Sequence, residues 1–351
     1  MLMVGANAKR FFRYCACRKN LNPPYPPFSK GGNLANSLES PPLKKGDLGG
    51  FKNQPAEKIY GNGNKTRFLR LPAVGLALAI LVLLAWTGTG LSADSTVLPA
   101  RDWNLRQIER LQAPAGDKLT FAVLGDNRSN QTVFEQVLKA MAGDPSLAFA
   151  IIVGDMVERG ALEEFTDFFK QIKPYGRMPF LTAVGNHDLG RDHDLTLYQE
   201  IFGPDYYAFA LKDNYFIIVN DVEADGVGEV QWRWLEKELE HSRSDKTRLV
   251  FLHIPLFDPR GGDKRHCLPE AAGRRLAALF RQYQVTHIFA GHIHSYFSGN
   301  WGGVPYTITG GAGAPLYGTD PNHFFHHYLK VTLQGGEVHI AVQRIKTEGD
   351  H

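Results

Sequence analysis

The sequence predicts an α/β fold for the C-terminal two-thirds of the chain. Short apolar runs typical of strands alternate there with stretches of helical periodicity, and several strands end in a glycine followed by a polar residue. Strands and helices that alternate at this spacing form right-handed βαβ units, in which helices cover a sheet. A glycine-rich tail, from Pro305 to Ile345, instead predicts short antiparallel strands that form or extend a second sheet.

The predicted elements follow one another along the chain from a short amphipathic stretch at Asn104–Leu111. Strands are predicted from apolar runs at Leu119–Leu124, Ala148–Val153, Phe180–Val184, Tyr215–Val219, Leu249–His253 and His287–Ala290. Helices are predicted from their periodicity at Thr132–Met141, Leu162–Ile172, Glu229–His241 and Pro269–Tyr283. No linker interrupts this pattern, so we predict one domain over residues 118–351, preceded by a linker with a short helix over residues 94–117.

The N-terminal part of the chain differs in composition. Residues 1–66 are rich in Pro, Gly, Asn and Lys and show no apolar periodicity, which predicts a disordered leader. A degenerate repeat within it leaves open a second interpretation, in which translation starts further along the chain.

A secretory signal is predicted over residues 67–93. A basic cluster at Lys65–Arg70 is followed by the apolar run Leu71–Trp86 and then by Leu-Ser-Ala, ending at Ala93. This order predicts export, with cleavage after Ala93. The apolar run is short for a spanning helix, but an uncleaved membrane anchor through residues 68–91 stays an alternative.

Charge is distributed unevenly and argues against a polyanionic partner. Residues 1–93 carry 13 Lys and Arg against 3 Asp and Glu, whereas residues 94–351 carry 26 against 33. A globular part with net negative charge is poorly suited to sequence-indifferent binding of nucleic acid. We therefore predict no nucleic-acid partner.

Candidate metal ligands follow the predicted strands in a defined order. Two carboxylates, one amide and three imidazoles come from five short motifs, at Asp126, Asp155, Asn186, His253, His292 and His294. Each motif alone is weak evidence, since an Asp after Gly is often a turn former and a lone strand-end His is often a core residue. Together they place oxygen and nitrogen ligands at the strand ends of one sheet, which favours Mn, Fe, Zn or Co over Mg or Ca.

The series of motifs closely resembles the calcineurin-like metallophosphoesterases, the superfamily that includes the purple acid phosphatases. The resemblance covers about residues 118–332, and its most specific parts are Gly-Asn-His-Asp at 185–188 and Gly-His-Ile-His at 291–294. It implies a β-sandwich of two mixed sheets flanked by helices, in α-β-β-α layers. It also implies a phosphomonoesterase or phosphodiesterase that uses two metals and acts on a small phosphoester.

The resemblance also implies a role for each residue. Asp155 would bridge two metals, Asp126 and His294 would hold the first metal, and His187 would act as a cation near the phosphoryl group. The remaining ligands of the second metal would be Asn186, His253 and His292. Two adjacent cations suit this chemistry because they bind phosphate oxygens and acidify water.

One departure from the family pattern concerns the first metal. The family usually has Asp-x-His at its first motif, whereas this chain has Arg128 in place of the His. A guanidinium does not ligate a metal, so Arg128 is interpreted either as a phosphate clamp or as a structural ion pair. Glu158 is either a compensating ligand or part of a solvated turn. Two alternatives follow: a mononuclear hydrolase, and a phosphate- or ligand-binding relative with weakened catalysis.

Overall fold

A computed structural model describes residues 97–261 and 266–346 of the chain. The predicted leader and the predicted signal or anchor segment lie outside these ranges. Within them, no helix combines the length and the apolar character that crossing a bilayer requires.

Two mixed β-sheets form the centre of the fold. The first sheet has the order β11-β10-β1-β2-β3, and the second has the order β4-β5-β6-β7-β9-β8. The strands of the first sheet are β1 (Leu119–Leu124), β2 (Ala150–Val153), β3 (Phe180–Ala183), β10 (His327–Gln334) and β11 (Glu337–Arg344). Those of the second are β4 (Tyr207–Leu211), β5 (Asn214–Ile218), β6 (Thr247–Phe251), β7 (His287–Ala290), β8 (Tyr296–Trp301) and β9 (Val304–Thr309). Strands β1 to β3 are mutually parallel, as are β5, β6, β7 and β9.

Helices cover the outer faces of both sheets. The α-helices are α1 (Trp103–Arg110), α2 (Gln131–Ala142), α3 (Leu162–Ile172), α4 (Thr196–Phe202), α5 (Glu229–His241) and α6 (Glu270–Gln282). Apolar side chains of α2 and α3 pack against the first sheet, and those of α5 and α6 pack against the second. The predicted α-β-β-α sandwich is therefore confirmed.

The layers follow from the alternation of side chains along each strand. Phe121 and Val123 of β1 face the space between the sheets, whereas Ala122 and Leu124 face the helices. Because both faces of each central strand are buried, these strands are continuously apolar rather than alternating. Aromatic rings fill the space between the sheets, where Phe121 stacks on Phe149 at 5.0 Å between centroids.

The structure differs from the sequence-based expectation in the tail. The tail contributes β9 to the second sheet and the hairpin β10-β11 to the first, where β10 pairs antiparallel with β1. Helix α4 and the edge strands β4 and β8 were not predicted. Helix α1 lies in the stretch predicted as a linker with a short helix. It packs on β3, and the Nδ2 of its buried Asn104 donates to the hydroxyl of Thr182 at 3.1 Å.

Candidate metal centre

All six predicted ligands lie just beyond the carboxyl ends of parallel strands. Strands β1, β2 and β3 carry Asp126, Asp155 and Asn186, whereas β6 and β7 of the other sheet lead to the histidines. The carboxyl ends of parallel strands are where α/β folds place ligands. The centre therefore lies where the ends of the two sheets meet.

The backbone takes unusual conformations at this edge. Asp126, Asp155 and His292 have positive φ angles of 58°, 57° and 66°. The left-handed region is uncommon for residues with a Cβ, and such residues cluster at functional sites. Gly154, at φ 88°, allows the close approach of the imidazole, because a Cβ there would lie 2.5 Å from Nδ1 of His253.

Three buried side chains form the first metal group, which we define as Asp126, Asp155 and His294. One potential ligand atom from each lies within 4.8 Å of the other two, and no other group of three or more His, Cys, Asp or Glu in the described residues meets this test. His294 donates from Nδ1 to the carbonyl of Pro315 at 2.7 Å. Its Nε2 is therefore left to face Asp126 Oδ1, 3.4 Å away.

The second metal group consists of Asp155, Asn186, His253 and His292. His253 donates from Nδ1 to the carbonyl of Val153 at 2.8 Å, so its Nε2 faces Asn186 Oδ1 at 3.0 Å and Asp155 Oδ1 at 3.3 Å. Nδ1 of His292 lies 2.9 Å from the same Asn186 oxygen. Four side chains from both sheets thus converge on one point.

These contacts fit bound cations. Asp126 Oδ1 is buried and has no hydrogen-bond partner. Nε2 of His253 and of His294 each face carboxylate oxygens, so lone pair points at lone pair unless a proton or a metal lies between them. A backbone carbonyl that fixes the other ring nitrogen is typical of metal-ligating histidines. The donor set therefore fits two transition metals.

The electrostatics of the centre also favour positive charge. Burial opposes protonation of His253, but Asp155, Asp126 and Asp221 outweigh it and raise its pKa to about 9. Burial likewise opposes ionisation of Asp155, yet His253, His187 and Arg128 hold the pKa of that carboxyl below its usual value. A metal must displace the proton from His253, because only neutral imidazole is a ligand.

Two buried carboxylates behind the ligands hold the loops in place. Asp188 accepts hydrogen bonds from the backbone N–H groups of Asp155, Met156, Val157 and Gly185, at 2.8 to 3.2 Å. Asp221 accepts from the N–H groups of His253 and Ile254 at 3.0 and 2.9 Å. Neither carboxylate was predicted to have a function. Asp188 could have been suspected from its motif, whereas nothing around Asp221 indicates its role.

Arg128, Glu158 and His187 form one network beside Asp155. Arg128 donates from Nε to Asp155 Oδ2 at 3.3 Å and from Nη1 to Glu158 Oε2 at 2.6 Å. The other Glu158 oxygen accepts from the hydroxyl of Ser129, so both oxygens of this carboxylate already have partners. His187 donates from Nδ1 to the carbonyl of Glu158 at 2.8 Å and from its backbone N–H to Asp155 Oδ1 at 2.9 Å. Glu158 therefore anchors both Arg128 and His187.

The fold and the centre define a metal-dependent phosphoric ester hydrolase. The family model for calcineurin-like phosphoesterases matches residues 119–296, and the chain belongs to this family. The resemblance inferred from the motifs is thereby confirmed.

Several proteins of similar sequence or fold are phosphatases. The chain is 25% identical over 223 residues to the serine/threonine-protein phosphatase CPPED1 of Bos taurus, covering 58% of this chain and 69% of the relative. It is also 25% identical over 161 residues to the Fe(3+)-Zn(2+) purple acid phosphatase 12 of Arabidopsis thaliana, covering 39% of this chain but only 33% of the relative. The solved purple acid phosphatase PPD1 of yellow lupin (Lupinus luteus) shares the fold, with a TM-score of 0.54, 17% identity, and coverage of 66% of this chain and 53% of that one.

Replacing Asp188 by Asn tests its role in holding the loops. The amide would place an N–H₂ group against backbone donors, so we expect a loss of about 2–3 kcal/mol in the free energy of unfolding and weaker metal binding. Urea denaturation and metal titration measure both effects. Asp194→Asn is the matched control, because Asp194 is exposed and its Oδ1 accepts from Thr196, a bond that Asn can keep. Equal stability of the two variants would contradict this role.

Proposed function

We propose that the protein is an exported hydrolase of phosphomonoesters or phosphodiesters that uses an unequal pair of transition metals. The observation that carries this proposal is the buried Asp126 Oδ1, which has no hydrogen-bond partner and faces the Nε2 of His294 beside Asp155. Such a buried acceptor is costly without a cation. Membership of a family with phosphatase relatives supports the reaction class.

The first metal group and the second metal group would hold one metal each, with Asp155 shared between them. Bound metals would bind the phosphoryl oxygens and lower the pKa of water. The two sites could hold different metals, because the name of the Arabidopsis relative specifies both iron and zinc.

His187 and Arg128 would contact the phosphoryl group directly. The Nδ1 proton of His187 is held by the carbonyl of Glu158, which leaves Nε2 to exchange a proton with the leaving oxygen. The Nη2 group of Arg128 has no hydrogen-bond partner in the described part of the chain, whereas Nε and Nη1 are held by Asp155 and Glu158. Arg128 would therefore donate from a fixed position to a phosphoryl oxygen.

Arg128 would also make the two metal sites unequal. Its guanidinium lies 3.3 Å from Asp155 Oδ2, so a cation that binds this carboxylate is repelled by it. The first metal group offers three side chains, one fewer than the second. This contact also supports a second candidate, a mononuclear hydrolase in which Arg128 replaces the charge of the first metal. The ligand-binding relative with weakened catalysis is the third reading, and hydrolysis assays separate it from both.

Metal-free protein reconstituted with Mn, Zn, Fe or Co tests the proposal. We expect two metals per chain with unequal affinities, and metal-dependent hydrolysis of p-nitrophenyl phosphate or of bis(p-nitrophenyl) phosphate. Elemental analysis measures the number of metals per chain, and the release of nitrophenol measures hydrolysis. One metal with full activity would establish the mononuclear candidate, and no hydrolysis with any metal would contradict the proposed activity.

Two variants of Arg128 refine the same experiment. In Arg128→His an imidazole replaces the repelling guanidinium, so the weaker metal should bind about tenfold more tightly. In Arg128→Ala the donor to the phosphoryl oxygen is lost, and kcat should fall on the order of 10²-fold. Unchanged metal affinity in the first variant would show that Arg128 does not weaken the first site. Unchanged turnover in the second would remove the clamp.

Export is proposed from the predicted signal over residues 67–93. The basic cluster, the apolar run and the small residues before Asp94 support cleavage after Ala93. The N-terminal sequence of the protein recovered from its host tests this, and we expect it to begin at Asp94. A mature chain beginning before residue 70 would contradict cleavage and leave the anchor through residues 68–91.

A further inference from the structure

An exposed aromatic ring lies against the candidate metal centre. Tyr317 is 69% exposed, and only two other large apolar side chains in the described residues, Val97 and Val230, are left similarly open to solvent. Its ring stacks on the imidazole of His294, with 5.1 Å between centroids and 24° between planes. A large aromatic surface is therefore exposed to water beside a member of the first metal group.

The segment before Tyr317 is tied to that group. The backbone N–H of Ala314 donates to the carbonyl of Asp126 at 2.7 Å, and the carbonyl of Pro315 accepts the Nδ1 proton of His294 at 2.7 Å. Proline also restricts its own φ angle. Tyr317 thus lies only two residues after Pro315, whose carbonyl is held by His294. Its ring is therefore a preorganised surface rather than a side chain on a free loop.

The surroundings divide the centre into a charged part and an aromatic part. Arg128 and His187 lie beside Asp155, on the part of the centre suited to phosphoryl oxygens. Tyr317 lies against His294, and the exposed ring of His266 lies 5.9 Å from that of His292. A phosphoryl group held by the charged part would leave its organic substituent near the aromatic rings.

We propose that Tyr317 is a stacking surface for the organic group of the substrate, which makes phosphoesters with a planar aromatic ring the preferred class. The inference rests on the proposed function for the placement of the phosphoryl group. An aromatic ring of the substrate that covers Tyr317 is stabilised by two contributions: apolar surface is removed from water, and the two rings form an offset-stacked pair. A saturated ring of similar size gains the first contribution but not the second.

Binding of non-hydrolysable phosphonates tests the inference without depending on turnover. The Kd of phenylphosphonate and of cyclohexylphosphonate is measured by calorimetry on the Mn²⁺-loaded full chain, for the wild type, Tyr317→Ala and Tyr317→Phe. We expect Tyr317→Ala to weaken phenylphosphonate about fivefold and cyclohexylphosphonate less than about twofold, with Tyr317→Phe close to the wild type. Val230→Ala, which removes an exposed apolar side chain from α5, should change neither value.

Two other outcomes overturn the inference. Equal weakening of both phosphonates in Tyr317→Ala would mean that the ring does not stack on the ligand and only offers apolar surface or supports His294, and no change in either would mean that it does not reach the ligand. Thermal unfolding of each variant checks that the exposed substitution leaves the fold intact. A fivefold selective loss of phenylphosphonate binding without hydrolysis of any ester would uphold the stacking surface while contradicting the proposed activity.

Discussion

Buried carboxylate oxygens that face imidazole nitrogens are the constraint on which the rest of the structure depends. Carboxylate oxygens of Asp126 and Asp155 lie 3.3 to 3.4 Å from imidazole nitrogens whose other ring nitrogen already donates to a backbone carbonyl. Only positive charge stabilises such a cluster in a buried environment. The strained backbone of the carboxylates and the loop held by Asp188 both serve to keep these atoms together.

Much of the fold could be predicted because the central strands are buried on both faces. Continuous apolar runs gave β1 and β7 with their observed bounds, and amphipathic periodicity gave α3 and α5 likewise. The edge strand β8 was missed because half of its residues are exposed and it carries Ser, Gly and Asn. Exposure does not explain the missed strand β4, which is buried and apolar. The division of the tail between two sheets depends on long-range pairing of β10 with β1, which no local pattern encodes.

In the candidate site, the proposed metal-binding residues could be predicted from the sequence, but the contacts of the residues around them could not. The order of polar residues after strands predicted the candidate ligands that the structure brings together, because the carboxyl ends of parallel strands share one edge. The pairing of Arg128 with Glu158 spans 30 residues and depends on how two loops pack, so the sequence left both residues with open interpretations. Tyr317 was overlooked for a similar reason, since only the fold of the tail places it on His294.

The most direct measurement is thermal unfolding of metal-free protein at increasing Mn²⁺ concentration. If these facing carboxylate and imidazole groups are built to bind a metal cation, Mn²⁺ binds the folded state alone, and the Tm rises steadily with the logarithm of its concentration. At about a hundredfold excess over Kd the gain corresponds to ~2.7 kcal/mol. A Tm that stays constant up to millimolar Mn²⁺, in a protein that circular dichroism shows to be folded, would contradict the account.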